Sequence, residues 1–226
     1  MISIRNGMQE IITVNHGGVN CYLIKTSNGF FLIDTGFSKK RPAIETDLQR
    51  VGCTTENLQL ILLTHGDFDH TGNAAYLRQK YGAKIAMHPA DVGMVENGDL
   101  FYSRKANWLM KAMGKLILVL LNTRLTEADR FTPDFTINEN TDLSAYGLDA
   151  KIIHITGHST GSIGILTSEG NLFCGDLLEN KKEPAKGSLL PDKAGFDNSL
   201  KKLRQLEINI IYPGHGEPFE FRNFSI

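Results

Sequence analysis

The sequence predicts a layered α/β fold, and three observations carry that expectation. Short β-branched or aromatic runs alternate with segments of helical periodicity over the first third of the chain and again towards its end. Gly, Asn and Pro punctuate the junctions between them. The 226 residues, 41% hydrophobic and 22% charged, suit one well-buried domain, read as residues 1–226 with a helical insertion at about 89–130.

The elements follow in order. Residues 10–14, 21–26 and 30–33 read as strands separated by Gly and Asn turns. Asp34-Thr35-Gly36 closes the third, and 39–51 reads as a helix with Pro42 near its start. Residues 58–63 return to strand, 72–81 read as helix and 84–87 as strand. Between Pro89 and Arg130 the strand signal fades. Trp108, Leu109, Met110, Met113, Leu116, Ile117 and Leu120 recur at helical spacing, so about 106–122 reads as an amphipathic helix. Strand-like runs resume at 135–137, 150–155, 162–167 and 171–174, with hairpin turn chemistry at Ser168-Glu169-Gly170-Asn171. A loop at 183–193, a helix at 195–206 and a strand at 208–212 complete the pattern.

Composition narrows the setting. A formal net charge of -1 gives no global field to attract nucleic acid or an anionic membrane. The basic clusters Lys39-Lys40-Arg41, Arg104-Lys105, Lys181-Lys182 and Lys201-Lys202 read as solvated faces. Cys21, Cys53 and Cys174 are an odd set without C-x-x-C spacing, which favours a reducing compartment. Residues 1–14 lack signal-peptide features, and the longest apolar run, 116–121, is far short of the roughly 20 residues that span a bilayer. The expectation is a soluble cytoplasmic protein with a small-molecule substrate and no nucleic-acid or membrane partner.

The densest chemistry lies at His65-Gly66-Asp67-Phe68-Asp69-His70, directly after the apolar run Leu60-Ile61-Leu62-Leu63. Open α/β sheets place ligands where such strands end. Two imidazoles and two carboxylates on so short a loop crowd charge unless a divalent cation takes their lone pairs; such donors suit Zn, Fe or Mn. Three further strand-like runs end beside a glycine and a metal-capable residue: Gly157-His158, Gly175-Asp176 and Gly214-His215. Together His65, Asp67, Asp69, His70, His158, Asp176 and His215 are too many donors for one ion and suit two divalent ions sharing a carboxylate.

This pattern resembles the metallo-β-lactamase superfamily, whose signature is His-x-His-x-Asp-His followed by Gly-His, Gly-Asp and a late Gly-His. Leu32-Ile33-Asp34-Thr35-Gly36 is similar to that family's early strand-end motif. The resemblance implies a four-layer αββα sandwich with metals at one edge of two sheets. It further implies a first metal on His65, Asp67 and His158, a second on Asp69, His70 and His215, Asp176 as bridge, and Asp34 steadying ligands from behind. Asp67 departs from the pattern, standing where most of the family has histidine. The nearest parallel is the flavodiiron branch, with a glutamate and iron there, although no flavodoxin-like segment follows here. Carboxylate oxygen is a harder donor than imidazole and moves preference from zinc towards iron or manganese. Two ions, three carboxylates and a bridging hydroxide leave a neutral core, which suits a neutral ester, lactone or thioester better than a phosphodiester.

The leading expectation is a dinuclear hydrolase using a metal-bridged hydroxide, with Asp69 orienting the water. The alternatives are a non-haem di-iron redox enzyme and a non-catalytic, metal-containing ligand-binding protein. No Gly-x-Ser-x-Gly is present to supply a covalent nucleophile. His16 sits in a turn that borders the site in one reading, His88 starts a helix, and His154 is structural; none is assigned as a ligand. Trp108 and Met113 are candidate substrate contacts on an insertion that reads as core helix, apolar lid or homodimer face.

Overall fold

The computed structural model describes residues 2–6, 9–104, 108–120 and 125–225. The chain opens with β1 (Ile2–Asn6), β2 (Gln9–Asn15), β3 (Asn20–Thr26) and β4 (Gly29–Ile33), followed by α1 (Arg41–Arg50) and β5 (Leu58–Leu62). Next come α2 (Phe68–Thr71), α3 (Ala74–Tyr81), β6 (Lys84–Met87), α4 (Val92–Asn97), α5 (Trp108–Leu120) and β7 (Phe135–Thr136). The last part holds β8 (Ala150–His154), β9 (Ile163–Thr167), β10 (Asn171–Gly175), β11 (Leu178–Glu179) and β12 (Ala185–Lys186). It ends with α6 (Lys193–Leu203), β13 (Ile210–Pro213) and β14 (Phe219–Glu220).

Strands β1 to β7 form one sheet in sequence order, and β14-β13-β10-β9-β8 form another. Side chains alternate along a strand, so each sheet offers an apolar face to either side. Tyr22, Ile24, Phe31, Ile33, Leu60 and Leu62 of the first sheet meet Ile152, Ile163, Ile165, Phe173 and Tyr212 of the second. Their chain neighbours face the other way: Leu23, Leu32 and Ile61 pack on Ile44 and Leu48 of α1 and Leu77 of α3. Ile153, Leu166, Leu172 and Ile211 pack on Phe196, Leu200 and Leu203 of α6. Three apolar layers therefore separate helix, sheet, sheet and helix, the αββα sandwich.

Strand direction decides where the polar turns gather. β4, β5 and β6 run parallel, as do β10 and β13, while β8 and β10 are both antiparallel to β9. The C-terminal ends of β4, β5, β8, β10 and β13 thus meet at one edge of the sandwich. Two backbone bonds tie the sheets there, Ile163 N–H to the Thr64 carbonyl at 2.9 Å and Asn20 N–H to the Gly214 carbonyl at 2.8 Å.

Several boundaries move from the sequence expectation for local reasons. The first helix begins with a 3₁₀ turn, Ser38–Lys40, before α1 takes Pro42 into its first turn. The last helix starts earlier than residue 195, because Asp192 caps it by accepting from Gly195 N–H at 3.1 Å. The 183–193 loop contains β12, paired with β11. Strand β1, short and not among the expected strands, forms the sheet edge. Of the helix expected at 106–122, residues 106, 107, 121 and 122 lie outside the described residues. Among the described residues no helix is long and apolar enough to cross a membrane.

Candidate metal centre

The seven donors named from sequence meet at this edge. The loop after β5 carries His65 and Asp67, and the single turn α2 carries Asp69 and His70; His158 follows β8, Asp176 follows β10, and His215 follows β13. Asp69 Oδ2 lies 3.8 Å from His70 Nε2 and 3.7 Å from His215 Nε2. Asp176 lies 3.2 Å from His70 Nε2 and 3.3 Å from His215 Nε2 through its two oxygens. Donors bonded tetrahedrally at about 2.1 Å stand roughly 3.4 Å apart, so these four side chains fit an ion between them. His70 Nε2 and Asp176 Oδ1 are buried and make no hydrogen bond, their close approach being misaligned for one. Gly214 clears the space: a Cβ there would stand 2.3 Å from Asp176 Oδ1 and 2.7 Å from His70 Cε1.

Each histidine is held from behind in one tautomer. His158 Nδ1 lies 2.7 Å from the Leu189 carbonyl and His215 Nδ1 lies 2.7 Å from the Gly18 carbonyl. A carbonyl only accepts, so Nδ1 carries a proton and Nε2 is the nitrogen turned towards the site. Thr64 donates its hydroxyl to Asp34 Oδ2 at 2.8 Å, which leaves its oxygen to accept from His65 Nδ1 at 2.9 Å. Asp34 also holds His70 Nδ1 at 2.8 Å and Thr64 N–H at 2.9 Å. It does so from a left-handed backbone conformation, φ 58°, alone among the described non-glycine residues, a strained geometry at the point where one carboxylate must reach three donors.

The other half of the cluster is arranged differently. His65, His158 and Asp176 offer atoms within 4.8 Å of one another, and Asp67 Oδ2 lies 3.0 Å from His158 Nε2. Among them stands Arg104, whose Nη2 is 2.7 and 2.6 Å from the two Asp67 oxygens and 2.7 Å from His158 Nε2. The sequence reading of Arg104-Lys105 as a solvated pair is therefore corrected at Arg104, which is buried; Lys105 lies outside the described residues. Asp91 is a second residue the pattern did not reveal. Fully buried, it accepts from Gly66 N–H at 3.1 Å, Ser159 Oγ at 2.5 Å, Gly161 N–H at 2.9 Å and Ser103 Oγ at 2.6 Å. It thus joins two site loops to the segment that delivers Arg104. One signal pointed to Arg104, the carboxylate Asp67 in place of an imidazole, since a buried acid asks for a base.

Charge follows these contacts. Burial pushes the Asp67 carboxyl up, but Arg104, His158 and His65 outweigh it and hold it well below the usual range. Burial likewise raises Asp176, and His70 and His215 reverse it. Asp69 stays raised, since burial and the Asp67 and Asp176 carboxylates exceed the pull of His70. Burial lowers His70 and His215, yet the facing carboxylates drive His70 well above and His215 above the ordinary imidazole value.

The remaining predicted residues lie apart. His16 bonds Asp47 at 2.8 Å, its turn reaching the site through the Gly18 carbonyl instead. His88 caps the turn Pro89–Asp91 and stacks on His154, centroids 4.3 Å apart. Trp108 and Met113 are 79% and 56% exposed on α5.

Comparison with known proteins places the chain in a family. The family model described as metallo-beta-lactamase superfamily matches residues 14–215. Hydroxyacylglutathione hydrolase GloC of Haemophilus influenzae is 29% identical over 75% of this chain and 71% of its own length. A probable metallo-hydrolase of Bacillus subtilis, YqjP, is 24% identical over 89% of this chain and 68% of its own. Among solved structures, TTHA1623 in a di-iron-bound form superposes with a TM-score of 0.69 at 26% identity, covering 93% of both chains. A subclass B3 metallo-beta-lactamase of Bradyrhizobium japonicum, BJP-1, shares the fold at a TM-score of 0.68 and 20% identity, over 91% of this chain and 74% of its own.

Proposed function

The chain belongs to the metallo-β-lactamase superfamily, and from that premise we propose a metal-dependent hydrolase of small carboxyl thioesters, its ion held by Asp69, His70, Asp176 and His215. The observation that carries this reading is the second half of the cluster, where four donors converge and His70 Nε2 and Asp176 Oδ1 are buried without a hydrogen bond. A divalent ion bound there supplies a water ionised near neutral pH and polarises the scissile carbonyl. Asp34 and the Gly18 carbonyl keep the His70 and His215 lone pairs directed inward. Asp69, the carboxylate with raised proton affinity, is the group proposed to orient the attacking water.

The thioester class rests on the relative named hydroxyacylglutathione hydrolase and on charge. One divalent ion and the Arg104 guanidinium together balance Asp67, Asp69 and Asp176, and the ionised water leaves the centre with a single net negative charge, which favours a neutral acyl carbon over a phosphodiester. A two-ion version adds a first ion on His65, Asp67 and His158 with Asp176 shared, and requires Arg104 to vacate. Imidazole with carboxylate suits zinc, iron and manganese, and the similar di-iron protein makes iron the first metal to test. Trp108, Met113, Leu116 and Val119, exposed at helical steps on α5, are proposed to receive the acyl portion. Replacing Trp108 and Met113 with alanine should then reduce turnover of long acyl chains more than short ones.

Protein purified without chelator is to be assayed on thioesters, lactones, β-lactams and phosphodiesters. The expected result is thioester turnover that chelation abolishes and metal restores. Metal-loaded protein inert on every carboxyl ester and thioester would overturn the proposal.

A further inference from the structure

We propose that Arg104 stands in place of a first metal ion, so that the protein holds a single divalent ion, at the Asp69, His70, Asp176 and His215 position. The inference rests on the metal-dependent reading and refines its centre.

Guanidinium is a permanent cation with donors only. His158 Nε2 stands 2.7 Å from Arg104 Nη2 and 3.0 Å from Asp67 Oδ2, while its Nδ1 donates to the Leu189 carbonyl. The nitrogen that a first ion would need is already engaged within the chain. Arg104 Nη2 also engages both Asp67 oxygens, so two of the three side chains assigned to a first ion instead coordinate a charge built into the chain. Asp67 is the residue that departs from the histidine pattern, and Arg104 supplies the reason. A carboxylate neutralises a buried guanidinium, which an imidazole in its place would repel or leave unpaired.

The side chain is anchored rather than draped. The Arg104 side chain is 1% exposed and its Nη1 donates to the Leu100 carbonyl at 2.7 Å. Its neighbour Ser103 is bonded to Asp91, which also holds the loops bearing His65 and His158. One residue further back, the Tyr102 ring lies over Gly93 of α4, where a Cβ would stand 2.1 Å from it. Moving Arg104 aside for an ion would strip Asp67 of its partner and disturb a segment fixed at each of these points.

The test is metal stoichiometry on the full chain, by elemental analysis and by calorimetric titration with Mn²⁺. Wild type is expected to bind one ion per chain and, loaded with Mn²⁺, to give the electron paramagnetic signal of an isolated ion. The double variant Asp67→His with Arg104→Ala, shown to be folded by circular dichroism and cooperative unfolding, is expected to bind two ions with a coupled signal. Two ions in wild type would overturn the inference while leaving the hydrolase reading intact. One ion in both proteins would overturn Arg104 as what excludes the first ion. No ion in wild type would overturn the metal-dependent reading and the inference with it. Wild-type stoichiometry decides the matter even if the double variant does not fold.

Discussion

The two halves of the cluster use the same residue types and reach opposite electrostatic outcomes. Around Asp69, His70, Asp176 and His215, carboxylates and imidazoles converge with buried atoms unsatisfied, so the arrangement is costly until a cation arrives. Around Asp67 and His158 a cation is already present as Arg104, within hydrogen-bond distance of both, while His65 Nε2 and Arg104 Nε beside them are buried without a hydrogen bond. A metal-binding motif is therefore a set of donors whose meaning depends on what else the fold brings to them.

The largest effect should follow from altering the unsatisfied half. Asp176→Asn is expected to lower kcat/KM on a thioester by about 10³-fold or more, with loss of bound metal. In the self-neutralised half the main cost falls on stability. Arg104→Ala leaves Asp67 buried without its partner and should cost the metal-free protein about 3–5 kcal/mol in urea unfolding. An unchanged midpoint there would erase the distinction between the halves. Asp34→Asn, which weakens the hold on His70 from behind, is expected to reduce metal affinity by about 10–100-fold in a competition titration. The finest probe is acid. Asp67 titrates in the fold well below its ordinary value of 3.8. Its contribution to the stability of metal-free protein is thus complete above that pH and is lost as pH falls through the depressed folded value. Asp67→Asn should flatten this acid limb; a limb equally steep in both proteins would place the effect elsewhere.

Much of this was legible in the sequence because the signals are local. Strands such as Leu58–Leu62 and Asn171–Gly175 declare themselves by apolar β-branched or aromatic runs, and each ends at a glycine or polar turn bearing a donor. The two-residue strands β11 and β12 are too short to carry such a pattern, and their pairing comes from tertiary contacts and not from their own residues. Arg104 shows the limit most clearly. Beside Lys105 it has the local character of a surface charge, and its burial exists only because the chain returns it, 37 residues after Asp67, to the same carboxylate.

The sequence by itself determined the alternation of strands and helices, the donor residues and the departure at Asp67, all properties of residue type and near-neighbour spacing. Tertiary structure alone decided which donors share a focus, which tautomer each histidine keeps, and that Asp67 faces a guanidinium. Those depend on strand direction and on contacts between residues far apart in the chain. Coulombic and hydrogen-bond energies act over a few ångströms in space, whatever the separation in sequence.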